Sequence, residues 1–330
     1  MQTTRIPGTD MEVSRVALGT WAIGGWMWGG TEEERSIATI QAALDKGVTL
    51  IDTAPVYGFG TSEKIVGKAL EQSGARDRIH LSTKVGLEWD DGAVFRNASG
   101  DRIMREVEDS LKRLRTDYLD IYHVHWPDPT RPMAETAKAM RQLLDDDVIR
   151  AVGVSNFTPD QMSRFREDCP IHVCQPPYNI FERAIESDIK PYCEHNDIAL
   201  MTYGVLCRGM LTGKMSADKT FQGDDLRNND PKFQQPRFDQ YLAAVDALQT
   251  LARERFDQSL IDFSVRWVLE KNVPIAIWGG RKPEQMDPLD QVFGWSMDGA
   301  TLSAVDSILA EAVKDPVGPE FMAPPTGLAD

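Results

Sequence analysis

Four polar residues have the types and the spacing needed to transfer a proton to a carbonyl oxygen. They are Asp52 and Tyr57 in TLIDTAPVYG, Lys84 at the end of IHLSTK, and His125 at the end of YLDIYHVH. A lone tyrosine is a weak acid at neutral pH, because its ordinary pKa is about 10. We expect Lys84 to lower the pKa of Tyr57, and Asp52 to hold the lysine in an ion pair. His125 is expected to bond the substrate oxygen or to relay a proton.

The same residues leave the overall reaction open. None of the four side chains donates a hydride, so an oxidation or reduction here requires a bound cofactor. Lys84 also permits a second interpretation, a Schiff-base lyase in which its amine attacks a carbonyl carbon. Borohydride trapping of an adduct on Lys84 distinguishes this alternative.

Strand-like and helical segments alternate along the chain and position these residues. The predicted strands are VSRVALGT, VTLIDTA, RIHLSTK, YLDIYHVH, IRAVGVS, IHVCQ, IALMTY and VPIAIWG. Helical stretches follow most of them: EEERSIATIQAALDKG, SEKIVGKALEQSG, IMREVEDSLKRLR, AETAKAMRQLLDDD, PDQMSRFREDC and DIKPYCEHN. Eight such units predict a closed (β/α)8 barrel, an α/β fold with its active site at the carboxyl ends of the strands. We expect residues 1–330 to form this single domain.

Two segments depart from the repeat. Residues 207–240 are expected to form a long polar connection after strand seven, and connections of this length are usually functional lids or disordered. The proline-rich tail from Asp315 onward is expected to be irregular, and either to fold across the barrel mouth or to fray.

Composition excludes several classes of protein. The chain has 330 residues, 42% of them hydrophobic, and a formal net charge of −15. Nucleic-acid-binding proteins usually carry a basic surface, so we expect no nucleic-acid partner. No apolar run approaches the roughly 20 residues of a membrane span, and the amino terminus has no apolar signal core. The spacing of the four cysteines predicts free thiols, so we expect a cytoplasmic protein. The oligomeric state stays open.

Metal binding and a Rossmann domain are both disfavoured. His123 and His125 are two residues apart on a strand and therefore point to the same side. A metal site would need further ligands from other strands, so we expect His123 to fill the barrel interior and no metal to bind. No G-x-G-x-x-G motif follows the first strand.

Other strand ends carry groups that suit a planar, phosphorylated ligand. Ser155 and Asn156 in GVSNF either cap the next helix or bond an amide. Gln175 offers another amide, and Tyr203 is placed to stack on a flat ring.

The segment IWGGRKPEQM after strand eight suits phosphate. Gly279 and Gly280 expose backbone amides, and Arg281 adds positive charge. Lys214 and Arg227, in the long connection, are expected to close over a second phosphate.

These segments together resemble the aldo-keto reductase superfamily. The resemblance rests on VALGTWAIGG, IDTAPVYGFGTSEKIVGKAL, LSTKVG, YLDIYHVHWPD, IRAVGVSNF, MTYGVLCRGMLTGK and IWGGRKPEQM. The tail DPVGPEFMAPP is similar to a bacterial branch that contains general stress proteins and glycerol dehydrogenases.

The resemblance implies a barrel that binds NADP, with Tyr57 as the proton donor. It implies that the cofactor contacts Thr20, Trp21, Ser155, Asn156, Gln175, Tyr203, Gly204, Leu206, Arg208, Lys214, Arg227, Gly279, Gly280, Arg281 and Gln285. The expected substrate is a small carbonyl compound or polyol. From the residues themselves, we expect its pocket to be walled by Trp21, Trp26, Trp28 and Trp126. The alternative is a regulatory or redox-sensing barrel that binds the cofactor but turns over poorly.

Overall fold

Eight parallel strands close into a barrel, which confirms the predicted fold class. The computed structural model describes residues 1–327. The strands, in chain order, are β1 (Thr3–Arg5), β2 (Glu12–Ser14), β3 (Val16–Gly19), β4 (Leu50–Asp52), β5 (His80–Val85), β6 (Leu87–Asp90), β7 (Ala93–Arg96), β8 (Leu119–Val124), β9 (Ile149–Ser155), β10 (Val173–Gln175), β11 (Ala199–Thr202) and β12 (Ile275–Gly279). The barrel contains β3, β4, β5 and β8 to β12, and the pairing of β12 with β3 closes it. All eight barrel strands match the predicted segments.

Helices pack around the barrel and cover its outer face. They are α1 (Trp21–Gly24), α2 (Glu33–Asp45), α3 (Thr61–Ser73), α4 (Gly100–Leu114), α5 (Met133–Asp145), α6 (Pro159–Phe165), α7 (Ile189–His195), α8 (Arg237–Phe256), α9 (Leu260–Glu270) and α10 (Gly299–Ala312). Helices cover the outer face of each barrel strand, and the side chains of the barrel interior cover its inner face. For this reason β8 is buried along its whole length.

The barrel interior changes from apolar to polar along the strands. Its apolar part includes Leu50, Ile121 and Ala151. Two residues further along the same strands, the inward positions are Asp52, His123 and Gly153. The polar layer therefore lies toward the carboxyl ends of the strands, where the sequence places the active site.

Two hairpins were not predicted. β1 and β2 pair antiparallel, and the hairpin carries Met11 into the apolar interior cluster. β6 and β7 also pair antiparallel, through a turn in which Asp91 and Gly92 have φ values of 44° and 82°. Two consecutive positive φ values are typical of a tight hairpin turn, and Asp-Gly is a sequence signal for it.

The prediction of a connection through residue 240 was wrong at its end. Helix α8 begins at Arg237, and three short 3-10 helices, at Cys207–Thr212, Leu226–Asn228 and Pro231–Phe233, divide the preceding segment. The signal for α8 was present in the sequence: its buried side chains include Phe238, Tyr241, Val245, Leu248 and Ala252, at intervals of three and four residues.

Helices α9 and α10 were also missed. The signal for α9 was also present, because its buried apolar residues Leu260, Phe263 and Trp267 recur at intervals of three and four residues. Within residues 1–327, no helix combines the length and the apolar character needed to cross a bilayer.

Candidate active site

The four predicted proton-transfer residues meet at the barrel mouth. Asp52 is the last residue of β4, Lys84 lies near the end of β5, and His125 directly follows β8. Lys84 Nζ lies 2.7 Å from Asp52 Oδ2 and 3.3 Å from the Tyr57 hydroxyl. The rings of Tyr57 and His125 are 5.9 Å apart and nearly perpendicular.

Lys84 has a full set of acceptors for an ammonium group. Its side chain is completely buried. Besides Asp52 and Tyr57, Nζ donates to the backbone oxygen of Thr53 at 2.9 Å. Three acceptors match the three protons of the charged form. Burial lowers the pKa of Lys84, and the Asp52 carboxylate opposes this effect.

Asp52 is held by three residues from two other strands, β5 and β10. Its Oδ1 accepts hydrogen bonds from Ser82 Oγ and from Gln175 Nε2, both at 2.9 Å. Its Oδ2 accepts from Lys84. The amide of Gln175, which we assigned to the cofactor, thus donates to the carboxylate that pairs with the lysine.

The pKa of Tyr57 moves in the direction opposite to our expectation. Burial is the larger cause and the Asp52 carboxylate the second, and together they raise the pKa of Tyr57 well above its usual value. A net lowering of the Tyr57 pKa, which we expected from Lys84, is therefore not observed, because burial and the Asp52 carboxylate set the net direction. Tyr57 is consequently a protonated phenol at neutral pH.

His125 is a neutral imidazole in this environment. Burial, followed by the positive charge of Lys84 and the neighbouring His123, lowers the pKa of His125 well below its usual value. A neutral ring offers one N–H donor and one acceptor nitrogen. His125 can therefore bond a carbonyl oxygen or a hydroxyl group.

His123 occupies the barrel interior, where we predicted it. It is fully buried, and burial lowers its pKa to about 3. Gly153 makes room for the ring, since a Cβ at residue 153 would lie 2.1 Å from His123 Nδ1. Among residues 1–327, no group of three histidine, cysteine or acidic side chains is arranged to hold a metal ion.

A cavity of about 740 Å³ opens beside Tyr57. Its lining carries more cations than carboxylates, although the chain as a whole is acidic. Within the described residues, the lining cations are Arg35, Arg208, Arg227, Arg281 and Lys282, and the lining carboxylates are Glu32 and Asp52. Local positive charge of this kind attracts an anionic ligand in spite of the global charge.

Most of the predicted cofactor residues line this cavity. They are Thr20, Trp21, Tyr203, Gly204, Leu206, Arg208, Arg227, Gly279, Gly280, Arg281 and Gln285. Ser155, Asn156 and Gln175 are not part of its lining, and Lys214 is exposed on the long connection.

Ser155 and Asn156 connect strand ends rather than cap a helix. Ser155 Oγ donates to the backbone oxygen of Gln175 at 2.7 Å. Asn156 Nδ2 donates to the backbone oxygen of His125 at 3.0 Å, and its Oδ1 accepts from the Tyr203 hydroxyl at 2.9 Å. The capping alternative was wrong because α6 begins at Pro159, so the N-cap position belongs to Thr158.

Contacts between loops cross the cavity, and the sequence did not indicate them. Arg281 donates to the backbone oxygens of Trp28 and Gly30, at 2.5 and 2.8 Å. From the long connection, the Leu226 amide donates to the Met27 oxygen at 3.0 Å.

Cavity residues from the start of α2, such as Arg35, were missed because charged residues at a helix start resemble a solvated surface.

Comparison with known proteins identifies the family. The Aldo/keto reductase family matches residues 15–310. The chain belongs to this family. It is 55% identical over 327 residues to aldo-keto reductase YhdN of Bacillus subtilis (strain 168), with 99% of both chains covered. It is 35% identical over 294 residues to an NADH-specific methylglyoxal reductase of Escherichia coli (strain K12), covering 84% of this chain and 89% of the relative.

A solved structure has the same architecture. The glycerol dehydrogenase AKR11B4 from Gluconobacter oxydans superimposes with a TM-score of 0.88 at 53% identity, covering 97% of this chain and 99% of the other. This aldo-keto reductase is therefore an oxidoreductase that acts on aldehydes or ketones with a nicotinamide cofactor.

The cavity fits such a cofactor on its own chemistry. Its volume lies in the range of small-molecule sites, its cations suit phosphate groups, and the flat ring of Tyr203 suits a nicotinamide. Arg227, in the 3-10 helix Leu226–Asn228, and Arg281, which follows β12, are the residues that would hold phosphates, because both line the cavity.

Proposed function

We propose that the protein is an NADP(H)-dependent reductase that interconverts small hydroxylated aldehydes or ketones and their alcohols. The observation that carries the proposal is the link from Asp52 through Lys84 to the Tyr57 hydroxyl, beside a cavity rich in cations. Aldehydes and ketones are the substrate class of the family, and the polar site suits hydroxylated members of it.

The residues of the chain handle the proton in this mechanism. A nicotinamide cofactor supplies or accepts the hydride when bound. Tyr57 donates its proton to the carbonyl oxygen in reduction, and the Lys84 ammonium stabilises the phenolate that remains. His125, as a neutral ring, orients the same oxygen. In the oxidation direction Tyr57 is the base.

A preference for NADP(H) over NAD(H) forms the second part of the proposal. It is supported by Arg281, whose guanidinium lines the cavity next to Lys282. Arginine pairs with phosphate through two parallel hydrogen bonds, and Arg281 uses only part of its five N–H groups on Trp28 and Gly30. The Escherichia coli relative is named as NADH-specific. The experiment must therefore distinguish a preference for NADPH from a preference for NADH.

Steady-state kinetics test both parts. We would measure kcat/KM with NADPH and NADH against glyceraldehyde, methylglyoxal and a bulky aryl ketone, and glycerol oxidation in reverse. Arg281→Ala should lower kcat/KM for NADPH by roughly tenfold or more, the loss of about 1.4 kcal/mol, and change NADH use little. Arg105→Ala is the matched control, because that arginine is exposed on α4.

The outcomes separate the claims. Equal use of both cofactors by the wild-type enzyme overturns the NADP preference. No turnover of any carbonyl, with NADPH bound, overturns the reductase proposal and leaves the regulatory alternative.

The substrate pocket is proposed to have an apolar wall made by two tryptophans. Trp21 stacks against Tyr57 with ring centroids 5.9 Å apart, and Trp28 meets the edge of Trp21 at 5.6 Å. Both line the cavity. Trp26 and Trp126, which we also expected in this wall, do not line the cavity but pack in a small apolar cluster that includes Tyr57, Phe59 and Leu87.

We also propose that residues 1–330 act as one domain in the cytoplasm, on small molecules rather than nucleic acid. The four cysteines are free and buried, which suits a reducing compartment. Limited proteolysis that releases two stable fragments, or cell fractionation that places the protein outside the cytoplasm, would contradict this.

A further inference from the structure

The carboxyl-terminal tail runs across the barrel mouth and is attached at two sites. Near its start, the Val317 amide donates to the Tyr241 hydroxyl at 3.2 Å. Near its end, Arg96 of β7 donates to the backbone oxygens of Pro324 and Pro325, both at 2.9 Å. The tail thus spans from α8 to the β6–β7 hairpin.

The middle of the tail faces the cavity. A short 3-10 helix covers Glu320–Met322. Met322 lines the cavity, and the guanidinium of Arg208, which also lines it, lies 5.6 Å from the centroid of the Phe321 ring. Met322 thus borders the cavity directly, and Phe321 contacts it through Arg208.

A fully buried lysine holds the tail between its two attachments. Lys232 Nζ donates to the backbone oxygen of Gly318 at 2.9 Å and pairs with Glu182 Oε1 at 2.7 Å. Lys232 is 0% exposed. Gly318 lies three residues before Phe321, so this bond fixes the tail directly before the segment that faces the cavity.

Lys232 belongs to a buried cluster of two cations and two carboxylates. Arg208 pairs with Glu182 and with Asp230, and Lys232 lies 3.6 Å from Asp230 Oδ1. Opposite charges balance within the cluster. Burying charges is costly unless they are paired and hydrogen-bonded. The bond from Lys232 to Gly318 is the point at which this cluster reaches the tail.

We propose that Lys232 is a positioning residue for substrate selection. By holding the backbone oxygen of Gly318, it keeps Phe321 and Met322 at the mouth and excludes bulky carbonyl compounds. Arg96 performs the same task at the other end of the tail. This inference rests on the proposed reductase function, since it concerns which carbonyl compounds reach Tyr57.

Substitutions in the full-length chain test the proposal. Lys232→Met keeps the length of the side chain and removes the ammonium. The ratio of kcat/KM for an aryl ketone to that for glyceraldehyde should rise by roughly tenfold, mainly through KM for the ketone. Lys219→Met is the control, because Lys219 is exposed on the same connection. Its ratio should equal that of the wild-type enzyme.

A double-mutant cycle separates positioning from general damage. If Lys232 acts by placing Met322, then Met322→Ala should raise the ratio by itself, and Lys232→Met should add little to it. Arg96→Gln provides an independent route if Lys232→Met does not fold, because it removes the guanidinium bond to Pro324 and leaves only the backbone amide bond to Pro325 at that end of the tail. It should change the ratio in the same direction.

Hydrogen exchange reports on the tail without reference to activity. The amides of Met322 and Ala323 donate within the tail, to the oxygens of Pro319 and Glu320, and their exchange should become faster in Lys232→Met. Two outcomes overturn the selection role. In the first, exchange becomes faster but the ratio of the kcat/KM values for the two substrates does not change. In the second, Lys232→Met changes this ratio equally with and without Met322→Ala. A wild-type enzyme that reduces none of the carbonyls overturns the proposed function itself.

Discussion

Tyr57 is the residue whose chemistry is easiest to isolate, because its hydroxyl can be removed without removing its ring. The ring stacks on Trp21 and meets His125 edge-on. Tyr57→Phe should keep these contacts and cofactor binding, and should lower kcat by about 10²–10⁴-fold, the usual contribution of general acid catalysis. Cofactor fluorescence and turnover should be measured on one sample. A rate within tenfold of the wild-type rate would show that another group is the acid.

Lys84 should affect the pH at which Tyr57 works as a base. Burial and Asp52 already raise the pKa of Tyr57. Lys84→Met removes the ammonium and leaves the Asp52 carboxylate uncompensated, so the pKa of Tyr57 should rise further. Alcohol oxidation needs the phenolate form of Tyr57. The pH at which kcat/KM for oxidation reaches half of its maximum should therefore rise.

The measurement is kcat/KM for alcohol oxidation across the pH range, in wild type, Lys84→Met and Lys219→Met. The exposed Lys219 variant should leave this half-maximal pH unchanged. An unchanged half-maximal pH in Lys84→Met would show that the lysine does not tune Tyr57.

At the scale of elements, the amino-terminal end of β8 carries a charge cluster remote from the mouth. Asp120 pairs with Arg76 at 2.9 Å and accepts the Leu81 amide at 2.9 Å. Burial favours the neutral acid, but hydrogen bonding from His80 and the charge of Arg76 outweigh it and lower the pKa of Asp120. Asp120 therefore stabilises the fold when it is ionised.

Asp120→Asn should cost about 3–5 kcal/mol of unfolding free energy at neutral pH, as expected when one partner of a buried pair is lost. A carboxyl group with a lowered folded-state pKa stabilises above its unfolded pKa of about 3.9, and this contribution is lost as the pH falls through the folded value. In urea unfolding, the difference in unfolding free energy between wild type and variant should thus be smaller at acid pH than at neutral pH. Asp10→Asn, at an exposed pair with Arg5, should change stability by less than about 1 kcal/mol. An equal loss in both variants would contradict the assignment.

For the whole molecule, cofactor binding should increase the stability of the folded state. A ligand that binds only the folded state adds about 2.7 kcal/mol at a concentration of 100 times Kd. NADPH should raise the melting temperature more than NADH at equal concentration, and Arg281→Ala should reduce the NADPH shift while Arg105→Ala does not. Differential scanning fluorimetry measures this. Equal shifts with both cofactors would contradict the role of Arg281 independently of turnover.

Much of the fold was predictable from local patterns. The eight barrel strands are short apolar runs bounded by turns, and the six helices that we predicted have one apolar face each, so their signals lie within about 15 residues. Helix α9 was missed although its apolar residues recur at helical intervals. The two hairpins were missed because their strands lack a continuous apolar run: β1 reads TTR and β6 reads LEWD.

The sequence by itself determined the barrel and the family, and it placed the four candidate proton-transfer residues at one mouth, because parallel strands bring their carboxyl ends together. Only the tertiary structure decided how Gln175, 123 residues away, bonds Asp52, and how Lys232 holds Gly318, 86 residues away. It also decided the direction of the Tyr57 pKa. These depend on distances across the closed barrel and on burial, and no local pattern of residues encodes either quantity.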